Sequence, residues 1–185
     1  MDPAEDAEDG LGRHHRLASG RADSAVPEPV DLAGYVLDEQ FGFLLRQIQQ
    51  RYVAMFLEMM GPDGPTPPQF ATLCRLAADG RISQNQLGRM TAMDPATIRG
   101  VVTRLEERGL VERLNDPDDK RRVLVQLSPR GREQLPGYIV RAKAITIAAL
   151  DPMEAQEVTP LLDLMRRLLS GFRAPDTGAA PPRRP

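Results

Sequence analysis

The chain has 185 residues, of which 41% are hydrophobic and 27% are charged, and its formal net charge at pH 7 is −2. This size and composition are typical of one compact domain with loose ends, and no apolar run approaches the roughly 18 residues that a membrane span needs. With acidic first residues instead of a signal peptide, we expect a cytoplasmic protein without membrane contact. Cys74 is the only cysteine, and His14 and His15 are the only histidines, so we expect no cofactor, no metal site and no histidine-based catalysis in the folded body.

The charges are segregated along the chain. Residues 81–132 contain eleven basic and seven acidic side chains, a net charge of +4, which leaves −6 for the rest of the chain. Much of that negative charge lies in residues 1–31, where eight acids face three arginines. A basic block within an acidic protein is the pattern expected of a local surface that binds phosphates.

The N-terminal half predicts a tail followed by two helices. Residues 1–31 have few large apolar side chains, so burial cannot offset the entropy lost on ordering, and we predict a flexible acidic tail. From Leu37 to Met60 apolar residues recur at three- and four-residue steps, the period of an amphipathic helix. Residues 61–65 break that helix, Pro67-Pro68 opens a second one, and Asp79-Gly80 ends it.

Two short capped helices and a hairpin follow. Ser83-Gln84-Asn85-Gln86 has the capping-box pattern, and Asp94-Pro95 places a capping carboxylate before a proline at the first helical position. Gly109 ends the second of these helices. The runs Leu110–Leu114 and Val123–Leu127 predict a β-hairpin whose charged tip forms a wing. This order of elements is a winged helix-turn-helix, and duplex DNA is its expected partner.

Further helices are predicted on the C-terminal side. Ser128-Pro129 opens a helix that Pro136-Gly137 should interrupt with a kink, and Asp151-Pro152 should start the last one. The predicted fold is therefore mainly α with a small β-hairpin wing, a winged helix-turn-helix with long terminal helices that form a dimerisation domain. The expected regions are a tail (1–31), an N-terminal dimerisation helix (32–66), a DNA-binding lobe (67–128), C-terminal dimerisation helices (129–173) and a disordered Pro-rich end (174–185).

The second helix of such a motif enters the major groove, helix N-termini suit phosphate oxygens, and a basic wing tip suits the minor groove. Arginine can donate two hydrogen bonds to one guanine, at O6 and N7, and threonine offers a hydroxyl and a methyl group to bases. The alternative for each residue is an ordinary solvated helix face or charged turn. The predicted DNA contacts are Ser83, Gln84, Pro95, Ala96, Thr97, Arg99, Gly100, Thr103, Arg104, Lys120, Arg121 and Arg122.

Residues 102–111 (VTRLEERGLV), the wing segment 116–121 (DPDDKR) and residues 125–131 (VQLSPRG) closely resemble the core of the MarR family of bacterial transcription regulators. With the flanking helices the resemblance extends from about Val36 to Phe172. It implies a homodimeric, ligand-responsive repressor that binds an inverted-repeat operator and is released by a small aromatic or phenolic compound. Lys120 stands where the family usually has a wing arginine, and its ammonium lacks the planar fork of a guanidinium.

Candidate effector contacts lie on the first long helix. Arg46 and Arg51 stand near Phe41 and Tyr52 and could pair with a carboxylate beside aromatic rings, although such arginines are more often surface or interface salt bridges. Residues 41–46 (FGFLLR) are similar to a subgroup linked to aromatic catabolism, some members of which respond to aromatic acyl-CoA thioesters. Cys74 lies on an apolar helix face, which favours a buried structural thiol over a redox sensor.

Three alternatives remain open at the level of the sequence. An enzyme is disfavoured, because nothing resembles a catalytic triad, a phosphate loop or metal-ligand spacing. A protein-interaction module that keeps the winged-helix form without DNA contact would be expected to have lost its basic character. A monomer that packs its long terminal helices internally is the alternative to the homodimer.

Overall fold

The computed structural model describes residues 30–117 and 123–172. The chain divides into two compact units, residues 1–37 and residues 38–185. In the described part of the first unit the backbone turns at Ala33 and Gly34, both with positive φ, and the Asp31 carboxylate accepts a hydrogen bond from the amide of Ala33 at 2.9 Å. A 3-10 turn covers Leu37–Glu39.

The second unit contains six helices and three strands among the described residues. In chain order they are α1 (Phe41–Met60), α2 (Pro67–Asp79), β1 (Ile82–Ser83), α3 (Gln84–Met90), α4 (Pro95–Glu107), β2 (Val111–Asn115), β3 (Val123–Leu127), α5 (Pro129–Leu150) and α6 (Ala155–Gly171). The order confirms the predicted class, mainly α with a winged helix-turn-helix. No helix in these two stretches is both long and apolar enough to cross a membrane.

Side-chain caps determine where helices α2, α3 and α5 begin. The Ser83 hydroxyl accepts from the amide of Gln86 at 3.4 Å, and the Ser128 hydroxyl accepts from the amide of Gly131 at 2.9 Å. Helix α2 has a full capping box, in which the Gln69 side chain accepts from the amide of Thr66 at 3.0 Å. These bonds satisfy amides that have no partner within the helix.

The small sheet is antiparallel, with the strand order β1-β3-β2. Val111 pairs with Leu127 and Asn115 pairs with Val123, so β2 and β3 form the predicted hairpin, and Ile82 pairs with Val125. The sequence analysis missed β1, because a two-residue strand is too short to show alternation. This strand joins the start of α3 to the hairpin.

The core lies between the helix-turn-helix, the sheet and the end of α1. Leu87, Ile98, Val102 and Leu105 are fully buried, and the β3 residue Val125 is buried with them. Removing these side chains from water contributes roughly 1.5–3 kcal/mol each to stability. Helix α4 is therefore packed against the core through its buried face.

The structure corrects one expectation about the last helices, the start of α6. Helix α5 continues through Pro136 as one helix of 22 residues, and the kink at Pro136-Gly137 stays a prediction. Pro136 has no backbone N–H, so one hydrogen bond of the helix is missing there. The neighbouring side chains Leu135 and Tyr138 are buried, and their packing stabilises the helix at this point. Helix α6 starts at Ala155 instead of Asp151-Pro152, because Glu154 and Glu157 form its capping box and Asp151 ends α5.

Candidate nucleic-acid interface

The turn between α3 and α4 sets the direction of the second helix. The amide of Met93 donates to the carbonyl of Gly88 at 2.9 Å, the Thr91 hydroxyl donates to the carbonyl of Leu87 at 2.7 Å, and Ala92 has a φ of 53°. A Cβ on Gly88 would lie 3.1 Å from Cγ2 of Ile98, so glycine allows the two helices to pack closely. This turn presents one face of α4 away from the body.

The predicted contacts on α4 share the face opposite the core. Ile98, Val101, Val102 and Leu105 are buried on the inner side. The outer side consists of exposed and half-buried residues, and it follows the 3.6-residue period as one continuous surface. The exposed members are Pro95, Ala96, Thr97, Arg99 and Arg104, and the half-buried members are Gly100 and Thr103.

Asp94 caps the N-terminus of α4 and also holds a side chain of the outer face. One carboxylate oxygen accepts from the amides of Ala96 and Thr97, both at 2.9 Å, and the other accepts from the Thr97 hydroxyl. These hydrogen bonds, led by that of the Thr97 side chain, lower the pKa of Asp94. The group is therefore ionised at neutral pH.

Arg113 on β2 contacts the outer face of α4 from the sheet. Its guanidinium donates to the hydroxyl oxygen of Thr103 at 3.0 Å and forms an ion pair with Glu106. The sequence analysis did not single out Arg113, because it lies on a strand ten residues from Thr103. Its position within the basic block was the only signal in the sequence.

The remaining predicted DNA contacts lie at the start of α3 and in the wing. Ser83 and Gln84 are half-buried at the N-terminus of α3, beside β1. The wing residues Lys120, Arg121 and Arg122 lie outside the described residues, as does the neighbouring Asp119.

The four candidate effector contacts do not form one cluster within the chain. Phe41 and Tyr52 are about 20° apart around α1, whereas Arg46 and Arg51 point about 140° and 280° from Phe41 at 100° per residue. The Arg46 guanidinium lies 5.8 Å from the centre of the Phe43 ring. The Tyr52 ring packs tilted against Phe56 at 6.0 Å.

A polar cleft of about 990 Å³ lies between the α1–α2 loop, the end of α4 and the first half of α5. Three arginines line it. Arg108 donates to the carbonyls of Asp63 and Gly64 and, at 3.0 Å, to Oε1 of Gln69. Arg141 donates to the carbonyl of Met60 at 2.7 Å. Arg130 also lines the cleft, together with the phenol of Tyr138. Three acids, Asp63, Glu107 and Glu133, also line the cleft, so it combines charges of both signs with an aromatic ring and links to the end of α4.

Cys74 is half-buried beside the core, and burial raises the pKa of its thiol. A raised pKa keeps the sulfur protonated and unreactive at neutral pH. Within residues 30–117 and 123–172, no group of three or more His, Cys, Asp or Glu side chains is placed to hold a metal ion.

Comparisons with known proteins agree with this architecture. Residues 66–123 match the family model described as MarR family. The repressor NicR of Pseudomonas putida is 39% identical over 141 residues, which are 76% of this chain and 89% of NicR. A probable transcriptional regulator from Pseudomonas aeruginosa has a crystal structure that aligns with a TM-score of 0.69 and 53% identity, covering 72% of this chain and 99% of that one.

A second similar structure concerns ligand control. It is described as the mechanism by which 6-hydroxynicotinic acid regulates DNA binding of Bordetella bronchiseptica BpsR. BpsR aligns with a TM-score of 0.71 and 36% identity over 75% of this chain and 99% of its own. NicR is named as a transcriptional repressor, and the two solved structures share this chain's fold over 99% of their own length. The chain therefore belongs to the MarR family of transcription regulators.

Proposed function

We propose that the protein is a homodimeric repressor that reads operator DNA with the outer face of α4 and is released by a small aromatic acid. The observation that carries the proposal is the continuous outer face of α4, which places Arg99, Thr103 and Arg104 opposite the buried core. Its residue types are those that bind base edges and phosphates in the major groove. The protein would act in the cytoplasm and would not be an enzyme.

The terminal helices support the homodimer. Helix α6 has no buried residue, although its face carries Leu162, Met165, Leu168 and Leu169, the last 72% exposed. Ile48 on α1 is 63% exposed. Apolar faces of this length on both terminal helices are typical of surfaces that a second copy covers around a two-fold axis. A dimer would place two copies of α4 against an inverted-repeat operator.

The polar cleft is the part of the described chain that we propose for the effector. Arg130 and Arg108 offer guanidinium donors to a carboxylate, and Tyr138 supplies an aromatic ring. The acids Asp63, Glu107 and Glu133 also line the cleft, so the carboxylate would bind at the arginines. Because Arg108 also follows the last residue of α4 and binds the α1–α2 loop, an acid that engaged it would disturb the anchor of the recognition helix. Phe41, Arg46, Arg51 and Tyr52 on α1 are the alternative effector contacts.

The DNA-binding part is tested by fluorescence anisotropy with the duplex upstream of the chain's own gene and a random duplex of equal length. We expect Arg99→Ala to weaken binding to the first duplex by about 1–3 kcal/mol and to reduce its preference over the second. Arg167→Ala, an exposed arginine on α6, is the control and should leave both affinities unchanged. Wild-type affinity that is equal for both duplexes would contradict the proposal, and failure to bind either duplex would support a protein-interaction module.

The effector part is tested by titrating 6-hydroxynicotinic acid, benzoic acid and benzoyl-CoA into the wild-type complex. We expect an acid to release the DNA, and Arg130→Ala to raise the concentration that is needed. Arg132→Ala, two residues along α5 but in a separate apolar groove, should behave as wild type. If Arg46→Ala abolishes the response and Arg130→Ala does not, the effector binds on α1. If none of the three compounds releases DNA, the aromatic effector is wrong.

The oligomeric state is tested by sedimentation of the full chain. The expected mass is twice 20.5 kDa, and Leu168→Glu should shift the protein towards the monomer. Sedimentation of the wild type as a monomer at micromolar concentration would contradict the homodimer.

A further inference from the structure

Two threonines on the outer face of α4 are engaged by charged side chains in opposite ways. Arginine has donors and no acceptor, so in the contact with Arg113 the oxygen of Thr103 must accept. Among the described residues, the Thr103 hydroxyl donates to no acceptor. Within residues 30–117 and 123–172 its hydrogen is therefore not taken up by another group.

Thr97 has the reverse arrangement. An ionised carboxylate has only acceptors, so the hydroxyl hydrogen of Thr97 must point to Asp94. The same carboxylate is fixed by two backbone amides, which keeps it in place at the start of the helix. The side chain of Thr97 is exposed, and the lone pairs of its oxygen are what it can offer to DNA.

We propose that α4 reads base pairs with two threonine hydroxyls of opposite polarity, Thr97 as an acceptor because Asp94 takes its only hydrogen, and Thr103 as a donor favoured by Arg113, which occupies one of its two lone pairs. The proposal deepens the proposed function and rests on α4 entering the major groove. Arg113 and Asp94 are positioning residues. A free threonine hydroxyl can donate or accept and discriminates poorly, whereas the Thr97 hydroxyl can only accept and the Thr103 hydroxyl, polarised by the arginine that donates to it, becomes a stronger donor.

The classes of base atom follow from the major groove. Acceptors there are guanine O6 and N7, adenine N7 and thymine O4, and these are the partners of Thr103. Donors are the amino groups at adenine N6 and cytosine N4, and these are the partners of Thr97. The two threonines are six residues apart, about 9 Å along the helix axis, so they contact different base pairs.

The experiment starts with selection of a preferred duplex from a random pool by the full wild-type chain. Every base pair of that duplex is then substituted in turn, and binding is measured for wild type, Thr103→Val, Thr103→Ser and Arg113→Met. We expect Thr103→Val to weaken binding about two- to tenfold and to erase the preference at one pair, while Thr103→Ser retains it. Arg113→Met should erase the preference at the same pair, and the double variant should lose no more than Thr103→Val alone.

Modified bases test the polarity without changing the protein. At the pair read by Thr103, removal of the acceptor atom, such as N7 in a 7-deazapurine, should weaken wild type and leave Thr103→Val unchanged. At the pair read by Thr97, purine in place of adenine, or the cytosine analogue without its amino group, should weaken wild type and leave Thr97→Val unchanged. Arg167→Met, on α6, is the matched control for loss of an arginine.

The outcomes separate the two proposals. If no sequence is selected from the pool, the proposed function fails and this inference fails with it. If a sequence is selected but Arg113→Met and Thr103→Val act additively, or at different pairs, Arg113 does not favour Thr103 as a donor. If wild type binds equally well after the base amino group is removed from the pair read by Thr97, the acceptor assignment is wrong. The slope of binding against salt should be the same in Thr103→Val and wild type, because no phosphate contact is removed.

Discussion

The guanidinium of Arg113 on β2 donates to the hydroxyl of Thr103 on α4 at 3.0 Å and also pairs with Glu106, one helical turn further on. A strand of the wing hairpin is thereby joined to the exposed face of the recognition helix. Thr103, which would contact DNA, is thus positioned by a side chain of the sheet.

Gly131 is expected to be intolerant of any side chain. A Cβ there would lie 2.0 Å from the carbonyl oxygen of Leu110, which already accepts a hydrogen bond from the amide of Ser128. Gly131→Ala should lower the free energy of unfolding by about 1–3 kcal/mol, because backbone has to move. Urea denaturation measures this, with Gly137→Ala as the control on the same helix. No Cβ contact is expected at Gly137, so the control should stabilise the protein by about 0.5–1 kcal/mol.

Substitutions at Gly100 should affect stability and DNA affinity in different ways. A Cβ at this position of α4 would meet no atom of the described chain within 4 Å. We therefore expect Gly100→Ala to raise the free energy of unfolding by about 0.8–1 kcal/mol through helix propensity. Gly100→Leu should fold as well as wild type but lose DNA binding, because a large side chain on the outer face keeps the helix away from the groove. Unimpaired binding by the folded leucine variant would show that the outer face does not approach DNA closely.

The cap at Asp94 predicts a pH dependence of stability. Its pKa is lowered in the folded state, so its contribution is present above the unfolded pKa of about 3.9 and is lost as the pH falls through the lower folded pKa. Asp94→Ala should therefore melt at a lower temperature than wild type at pH 7, and the difference should narrow below about pH 4. Thermal unfolding followed by circular dichroism at a series of pH values measures it. A difference that stays constant down to pH 2 would contradict an ionised cap.

The thiol of Cys74 is expected to react slowly with thiol reagents. Burial raises the pKa of its thiol, so the thiolate is scarce at pH 7. Ellman's reagent should modify the folded protein more slowly than free cysteine, and denaturant should remove the difference. Cys74→Ser should bind DNA with the affinity of wild type, and the effector should release it from DNA at the same concentration. If peroxide treatment of wild type alone abolished DNA binding, the thiol would be a sensor and this prediction would be wrong.

Most of the fold could be predicted from local signals. The caps at Ser83, Asp94 and Ser128 act over three residues or fewer, and the hairpin strands show their character in short branched runs. The predicted start of α6 was wrong because Asp151-Pro152 has the same local pattern as the true helix start at Asp94-Pro95. The helix begins after Glu154, and glutamate is not among the residues preferred at an N-cap.

The candidate site divides in the same way. The outer face of α4 follows from helix period alone, which is why its residues could be named in advance. Arg113 and the arginines of the polar cleft could not, since Arg113 reaches Thr103 across ten residues and Arg141 reaches the carbonyl of Met60 across 81. Such contacts depend on how the elements pack, and no local pattern in one sequence contains that information.

The central claim is that this chain binds a specific duplex through a basic surface centred on α4. The most direct measurement is the affinity for the selected duplex and for a random duplex at several salt concentrations. We predict a linear fall of log affinity with log salt, with a slope of about −0.9 for each phosphate contacted, and tighter binding to the selected duplex at every concentration. A slope near zero, or equal affinity for the two duplexes, would contradict the account.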